Sequence, residues 1–244
     1  MELERFHGWV KGIYLKEQTK RDIGIGLSRV LKKGTEFAID YCEKNGISFE
    51  YIGIVDGDIL LEKDYFEKLI SKFKENPKLG IASGQIFLQV GGKIKLDKMH
   101  KSVPIGAARL IRKACYNEIG GFPIGMAPDT ICDIKAMMKG WETYQFEGIK
   151  VIHRRNAMSA EGLCKGMLHQ SKRMYYLNYH PILIFAYALL ESTRRPYYHV
   201  LFYLCGYFLC VFKREQKIQD KDIRDYFWRK RFGNIKKDMR AYLW

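Results

Sequence analysis

The sequence predicts an α/β fold, with a mostly parallel sheet flanked by helices and a helical C-terminal extension. A short apolar run at Tyr51–Val55 is typical of a strand that is covered on both faces. An amphipathic helix pattern at 64–74 and a second strand pattern at 81–88 follow it directly. After residue 160 the pattern changes to helical segments with long apolar runs, which predicts the extension.

The first regular element is predicted to be a helix over residues 27–44. Its apolar side chains recur near helical spacing, and Asn45-Gly46 is a stop signal. The recurring positions are Val30, Leu31, Phe37, Ala38 and Tyr41.

The next three elements form a strand–helix–strand unit. The strand at Tyr51–Val55 leads into the helix at 64–74, which Asn76-Pro77 ends before the strand at 81–88. Such a unit predicts that the sheet is at least partly parallel. Because ligands of such sheets bind at the carboxyl ends of the strands, Asp56-Gly57-Asp58 lies where a ligand is expected.

A second group of elements follows in the same half of the chain. Residues 107–112 are predicted as a strand, Lys113–Ile119 as a short helix and residues 120–123 as a turn. A helix over 130–139 ends at Gly140, and residues 143–153 contain one or two strands.

The apolar runs of the C-terminal part lie at 181–190 and 197–212. The second run is shorter than the roughly 20 residues that a bilayer-spanning helix needs, so a span is the least favoured alternative. Two alternatives stay open: a buried helical hairpin packed on the first domain, or an amphipathic helix in a membrane interface. Basic residues flank this run on both sides, at Arg194, Arg195, Lys213 and Arg214.

Charge and cysteine usage restrict the class of protein. The net charge is +15, and residues 150–244 hold 19 Lys and Arg against 7 Asp and Glu. This excess suits an anionic membrane surface or a phosphorylated substrate. The basic residues interleave with apolar runs and form no nucleic-acid recognition module, so nucleic acid is not an expected partner. The six cysteines form no C-x-x-C pair and fit free thiols, which predicts a cytoplasmic protein. The basic flanks of the apolar run at 197–212 add the expectation of a peripheral position on the inner face of the cell membrane.

Asp56-Gly57-Asp58 is the strongest local signal for chemistry. Two carboxylates two residues apart at a strand end can bind one divalent cation, and Gly57 allows a tight turn between them. A bound Mg²⁺ or Mn²⁺ would neutralise charge on a diphosphate leaving group. The alternative is an ordinary turn, because Asp-Gly is a common turn dipeptide.

Three further residues are candidates, each with a structural alternative. Asp129 opens a predicted helix, either as its N-cap or as a general base for an incoming hydroxyl. His153 ends a predicted strand, either as a metal ligand or as a surface histidine in a basic turn. Arg109 would contact a phosphate or pair with a carboxylate.

Five motifs in one order resemble a family-2 glycosyltransferase of the GT-A type. The first is YIGIVDGD at 51–58 with LEKDYFEKLISKF and NPKLGIASG after it. GAARLIRKACYNEIGGF at 106–122 is similar to the family's acceptor-side strand and helix, and PDTICDIKAMMKGW at 128–141 to the helix that follows. VIHRR at 151–155 and YYLNYHP at 175–181 are similar to a subgroup with a helical C-terminal extension that acts in cell-envelope or exopolysaccharide assembly.

The resemblance implies a metal-dependent, inverting transfer of a sugar from a nucleoside-diphosphate sugar to a hydroxyl of a glycan or lipid-linked acceptor. Asp58 resembles the principal metal ligand, Asp56 a contact to the metal or the nucleotide ribose, and Asp129 the catalytic base. His153 lies where some relatives supply another metal contact, and Arg29 lies in the helix that borders the nucleotide. A contact of Arg109 to the nucleotide phosphates is also expected.

The resemblance further implies two domains and an incomplete first domain. Residues 1–158 correspond to the catalytic domain and residues 159–244 to the basic helical extension. The family's opening strand and its Asp-rich turn have no counterpart here, so we expect the first βαβ unit of the nucleotide-binding half to be missing. The alternative function is therefore a catalytically impaired remnant that binds a membrane or a partner chain.

Overall fold

A six-stranded mixed sheet with helices on both faces forms the larger part of the structure. The structure is a computed structural model, and it describes residues 9–13, 24–90, 93–96, 101–153, 162–192 and 197–230. The fold is α/β, as the sequence predicts. In chain order, the elements of the first part are α1 (Ile25–Lys44), β1 (Tyr51–Val55), β2 (Ile59–Leu61), α2 (Tyr65–Glu75), β3 (Leu79–Val90), β4 (Lys93–Leu96), β5 (Ala108–Arg112), α3 (Lys113–Ile119), α4 (Pro128–Met138) and β6 (Glu142–His153).

The order of the strands corrects the predicted sheet. The order is β1-β5-β3-β6-β2, with β4 paired to β3, and of the pairings between described strands only β3 with β6 is parallel. The prediction of a mostly parallel sheet is therefore wrong. β1 and β3 do run in the same direction, but the antiparallel strand β5 lies between them. A pattern confined to 51–88 cannot reveal a strand that a later segment contributes.

The two faces of the sheet pack against different helices because strand side chains alternate. On β5, Ala108 and Leu110 contact the core under α2, whereas Ile111 contacts the core under α3 and α4. The first core also contains the buried face of α2, namely Tyr65, Leu69 and Phe73. The second core joins α3 and α4 through Cys115, Tyr116, Ile119, Cys132 and Ala136.

The C-terminal part is helical, as predicted. It consists of α5 (Leu163–Tyr176), α6 (Pro181–Glu191), α7 (His199–Phe212) and α8 (Lys221–Asp225), followed by a π-helical turn at Tyr226–Lys230. A core of their own joins α5, α6 and α7. No helix in the described ranges is long and apolar enough to cross a bilayer. Arg194 and Arg195 lie outside the described residues.

Helix α4 connects the two parts. Its side chains Cys132 and Ala136 pack under the sheet, while Ile131 and Ile134 pack against the C-terminal elements. The second contact includes Ile218, Ile223 and Phe227. Because α4 is held from both sides, its first turn is fixed relative to the sheet.

Candidate functional site

The pairing of β2 with β6 brings Asp58 to His153. In this antiparallel pair Ile59 lies opposite His153, and Asp58 directly precedes Ile59. The Asp58 Oδ1 atom lies 3.3 Å from His153 Nε2. The His153 side chain is buried and that of Asp58 is 25% exposed, so the pair has one side open to solvent. His153 is thus a buried member of this cluster and contacts the Asp58 carboxylate. The alternative of a surface histidine is wrong.

The loop before β5 connects Asp56 with Asp129. The Asp56 backbone N–H donates to the carbonyl of Ala107 at 2.8 Å. One residue earlier, Gly106 lies against the Asp129 carboxylate, because a Cβ atom at this glycine would meet Asp129 Oδ2 at 2.7 Å. The sequence-predicted residues Asp56, Asp58, Asp129 and His153 are therefore brought together from three separate segments of the chain.

The electrostatics of Asp56 reflect these neighbours. Asp56 is exposed at its outer side, yet the protein around its carboxyl removes enough water to raise its pKa above the ordinary value. The charge of Asp58 raises the pKa further, and that of Asp129 adds to it, while His153 and Arg109 oppose this shift. The site therefore concentrates negative charge that a cation would neutralise.

Asp129 lies in the first turn of α4 but does not cap the helix. The cap position is Ala127, which has a φ of 57° in the left-handed region and makes no side-chain capping bond, and Pro128 begins the helix. The alternative of Asp129 as the N-cap is therefore wrong. The Asp129 carboxylate remains half-buried in the first turn of the helix.

Arg109 lies beneath the site and is only 1% exposed. Its guanidinium donates to the carbonyls of Pro104, Ile105 and Asp129 and to the Asp133 carboxylate, the last at 3.0 Å. Burial alone would lower the pKa of Arg109, but the carboxylates of Asp133 and Asp129 raise it. The prediction that Arg109 binds the nucleotide does not fit this geometry, because its donors are already used within the protein.

Asp133 is the residue of this group that the sequence motifs did not single out. Its burial raises its pKa to about 7, while the ion pair with Arg109 acts to lower it. A signal was present in the sequence, since Asp129 and Asp133 are four residues apart and share one face of α4. The ion pair joins β5 to α4 and so fixes the helix that carries Asp129.

Arg29 is the predicted site residue that the structure does not place in this group. It is exposed on α1 and is not among the charges that act on Asp56. Its role toward a nucleotide stays a prediction. A shallow pocket does border α1, but it lies between this helix and α3 and its lining contains none of the clustered carboxylates.

The carboxylates at this site suit Mg²⁺ or Mn²⁺ in part. Both cations prefer oxygen ligands, which the two aspartates supply, and the charges of Asp58 and Asp129 add to the effect of burial in raising the pKa of Asp56. Within the described residues, however, no group of three or more His, Cys, Asp or Glu side chains is close enough to hold a metal. The residues fit a cation that takes its remaining ligands from a bound diphosphate or from water, and they do not form a complete protein cage.

Comparisons with known proteins find similarity among solved structures. No protein-family model matches the chain, and a search of curated proteins gives no match. Among solved structures, the chain is similar to the mannosyltransferase PcManGT from Pyrobaculum calidifontis in complex with GDP-Man and Mn²⁺, with a TM-score of 0.44 and 14% identity. The similarity covers 79% of this chain and 50% of that one, so the chain spans about half the length of that protein. This likeness is too low to establish a shared fold. The function of this chain therefore has to be argued from its own site and sequence motifs.

Proposed function

We propose that this protein is a glycosyltransferase that moves a sugar from a nucleoside-diphosphate sugar to a hydroxyl acceptor. The observation that carries the proposal is the convergence of Asp56, Asp58, His153 and Asp129 near the ends of β1 and β6. The five ordered motifs that resemble a family-2 GT-A glycosyltransferase support the same assignment. The acceptor is a glycan or lipid-linked hydroxyl of the cell envelope, and the first domain carries the reaction.

Asp58 and Asp56 are the residues that would hold Mg²⁺ or Mn²⁺, with His153 beside Asp58. When bound, the cation supplies positive charge that balances the diphosphate leaving group. The protein's own contribution is to keep Asp58 near enough to raise the pKa of Asp56 and to hold the His153 imidazole against Asp58. The β2–β6 pairing achieves this, because it fixes the backbone on both sides of the contact.

Asp129 is the proposed general base. Its carboxylate lies against the loop that contacts Asp56, so an acceptor hydroxyl between Asp129 and the donor would lie next to the sugar C1. Asp129 takes the hydroxyl proton as the acceptor oxygen forms its bond to C1. The bond from C1 to the phosphate oxygen breaks, the electron pair leaves with the nucleoside diphosphate, and the anomeric configuration inverts.

Two further residues act on the site indirectly in this proposal. Arg109 holds the backbone of Asp129 and the carbonyls before β5, so it positions the base and does not contact phosphate. Gly106 leaves the space that the Asp129 carboxylate occupies.

Gln170 and Arg173 of α5 resemble part of the Q-x-x-R-W element of processive synthases. Met174 replaces the tryptophan of that element, so we propose a single transfer at each encounter.

The test of the proposal is turnover with labelled UDP- and GDP-sugars in the presence of Mn²⁺. Asp129→Asn should bind the donor normally but reduce the turnover number by about 100-fold or more, since it removes the base. The matched control is Asp40→Asn, whose aspartate is exposed on α1 and pairs with Lys44, and it should leave turnover unchanged. Full turnover in Asp129→Asn would reject the assignment of the base.

A second candidate function is a non-catalytic protein that binds a membrane or a partner chain. The observation that favours it is the exposed apolar surface of α6 and α7 together with the basic C-terminal part. This alternative predicts no measurable affinity for any sugar nucleotide. A saturable binding signal for a nucleotide sugar in the wild-type chain would reject it.

A further inference from the structure

The outward surfaces of α6 and α7 are apolar and exposed. On α6 the exposed side chains recur three and four residues apart and therefore form one stripe. On α7 they continue along the whole helix, and the Phe185 and Phe208 rings, 6.0 Å apart, join the two stripes. We call this surface the hairpin face; it consists of Ile182, Phe185, Leu189, Leu201, Phe202, Phe208, Leu209, Val211 and Phe212.

The exposure is large although the inner sides of the same helices are already packed. Leu183, Ile184 and Tyr187 of α6 and Tyr203 and Tyr207 of α7 are buried in the C-terminal core. On the outer side Leu189 is 71% exposed and Phe212 is 81% exposed. Helices that are apolar on every side are normally covered all round, so the hairpin face indicates an occupant that the described residues of the chain do not provide.

The two helices carry little charge of their own. α7 contains no Asp, Glu, Lys or Arg, and α6 contains only Glu191, which is buried. Charged residues begin directly after α7 with Lys213 and Arg214, both exposed. The border of the hairpin face is therefore basic at the end of α7, with the exposed Tyr197 and Tyr198 at its start.

We propose that the hairpin face lies in the interface of a membrane that contains anionic lipid. α7 has 14 residues and is roughly 21 Å long, too short to cross the hydrocarbon core but long enough to lie in its plane. An apolar surface with a basic border after α7 and tyrosines before it matches the chemistry of the headgroup region. The excess of positive charge over residues 150–244 adds long-range attraction to an anionic surface.

The charges also argue against a second copy of the chain as the occupant. A pairing of two hairpin faces would bring the basic ends of two equally charged extensions toward each other, and this repulsion would oppose the association. A lipid surface of opposite charge has no such cost. The inference needs no sugar chemistry, so it stands or falls independently of the proposed function.

The experiment is sedimentation of the full chain with vesicles of phosphatidylcholine alone or mixed equally with phosphatidylglycerol. We expect binding to the mixed vesicles that weakens with added salt. The double variant Leu189→Gln/Leu201→Gln should bind at least about tenfold more weakly, because two exposed apolar side chains become polar. Neutralising the basic end with Lys213→Gln/Arg214→Gln should reduce binding to the mixed vesicles and remove most of its salt dependence.

Ile124→Gln is the matched control, since Ile124 is 53% exposed in the turn before α4 and lies outside the hairpin face. It should bind like the wild type, and near-ultraviolet circular dichroism should show all variants folded. Unchanged binding of the Leu189/Leu201 variant, or an equal loss in Ile124→Gln, would overturn the proposal. It would also be overturned if light scattering found a dimer that the double variant dissociates, with no vesicle binding by the wild type.

Discussion

At the scale of single residues, the site is defined by carboxylates held closer together than their charges favour. Asp56 and Asp58 lie on either side of Gly57 in one turn, and the Asp129 carboxylate approaches from another segment. The raised pKa of Asp56 results first from loss of water and then from repulsion by Asp58. A protein that needed these residues only for a turn would gain nothing from this repulsion, whereas a cation-binding site depends on it.

Replacement of Asp56 by asparagine should therefore stabilise the cation-free protein at neutral pH while it weakens donor binding. The pKa of Asp56 is higher in the folded protein than in the unfolded chain. The free energy of unfolding therefore decreases as the pH rises from the ordinary aspartate pKa to the raised pKa of the folded state. The gain in Asp56→Asn should be a few tenths of a kcal/mol, because water screens a carboxyl that is exposed at its outer side.

Urea unfolding at neutral pH and near pH 4 measures this difference. The gain should be smaller at the lower pH, because a raised pKa leaves more of the wild-type Asp56 carboxyl protonated there than at neutral pH. Asp40→Asn serves as control, since its exposed i,i+4 pair with Lys44 should change stability little at either pH. A loss of stability in Asp56→Asn at neutral pH would contradict the predicted repulsion.

At the scale of elements, the ion pair of Arg109 and Asp133 fixes the position of α4 on the sheet. Arg109 on β5 holds three backbone carbonyls and one carboxylate, and Asp133 lies one turn after Asp129 on α4. Both side chains are buried, so neither can exchange its partner for water. The pair fixes the register of α4 on the sheet and, with it, the position of the proposed base.

Arg109→Met should destabilise the fold by about 3–5 kcal/mol at neutral to alkaline pH, because Asp133 is left buried without its partner. The cost should be smaller under mildly acidic conditions. Without the guanidinium the pKa of Asp133, already raised by burial, rises further, and a protonated carboxyl tolerates burial better.

Chemical denaturation of Arg109→Met at two pH values tests this expectation. Arg29→Met, which replaces an exposed arginine on α1, is the control and should change stability by less than about 0.5 kcal/mol. An equally small effect of Arg109→Met would show that the ion pair does not hold α4 in place.

The elements themselves were predictable to within a few residues, but their arrangement was not. Strand β1, helix α2 and helix α3 follow local periodicity and stop signals, which a sequence displays directly. The insertion of β5 between β1 and β3 depends on contacts between distant segments, and no local pattern encodes them. β2 and β4 were missed because they have only three and four residues.

The candidate site was also predictable only in part. Asp56, Asp58 and Asp129 stand out in the sequence because each follows or opens an element. The burial of Arg109 was not predictable, since an arginine on a strand is normally expected to reach solvent and its four acceptors come from two separate segments. The contact of Asp58 with His153 depends on a strand pairing that the sequence did not reveal.

At the scale of the whole molecule, α4 connects the sheet, the carboxylate site and the C-terminal helices. Its inner side packs under the sheet, its outer side packs on the segment around Ile218 and Phe227, and its first turn carries Asp129. The proposed membrane surface belongs to the same C-terminal part.

The central claim is that Asp56 and Asp58 bind a divalent cation together with a sugar diphosphate. The most direct measurement is isothermal titration calorimetry of the full chain with UDP- and GDP-sugars, with Mn²⁺ and with a chelator. We predict saturable binding of one donor that requires Mn²⁺, is lost in Asp58→Ala and is retained in the control Asp40→Ala. Absence of binding in the wild type, or equal binding in Asp58→Ala, would contradict the account.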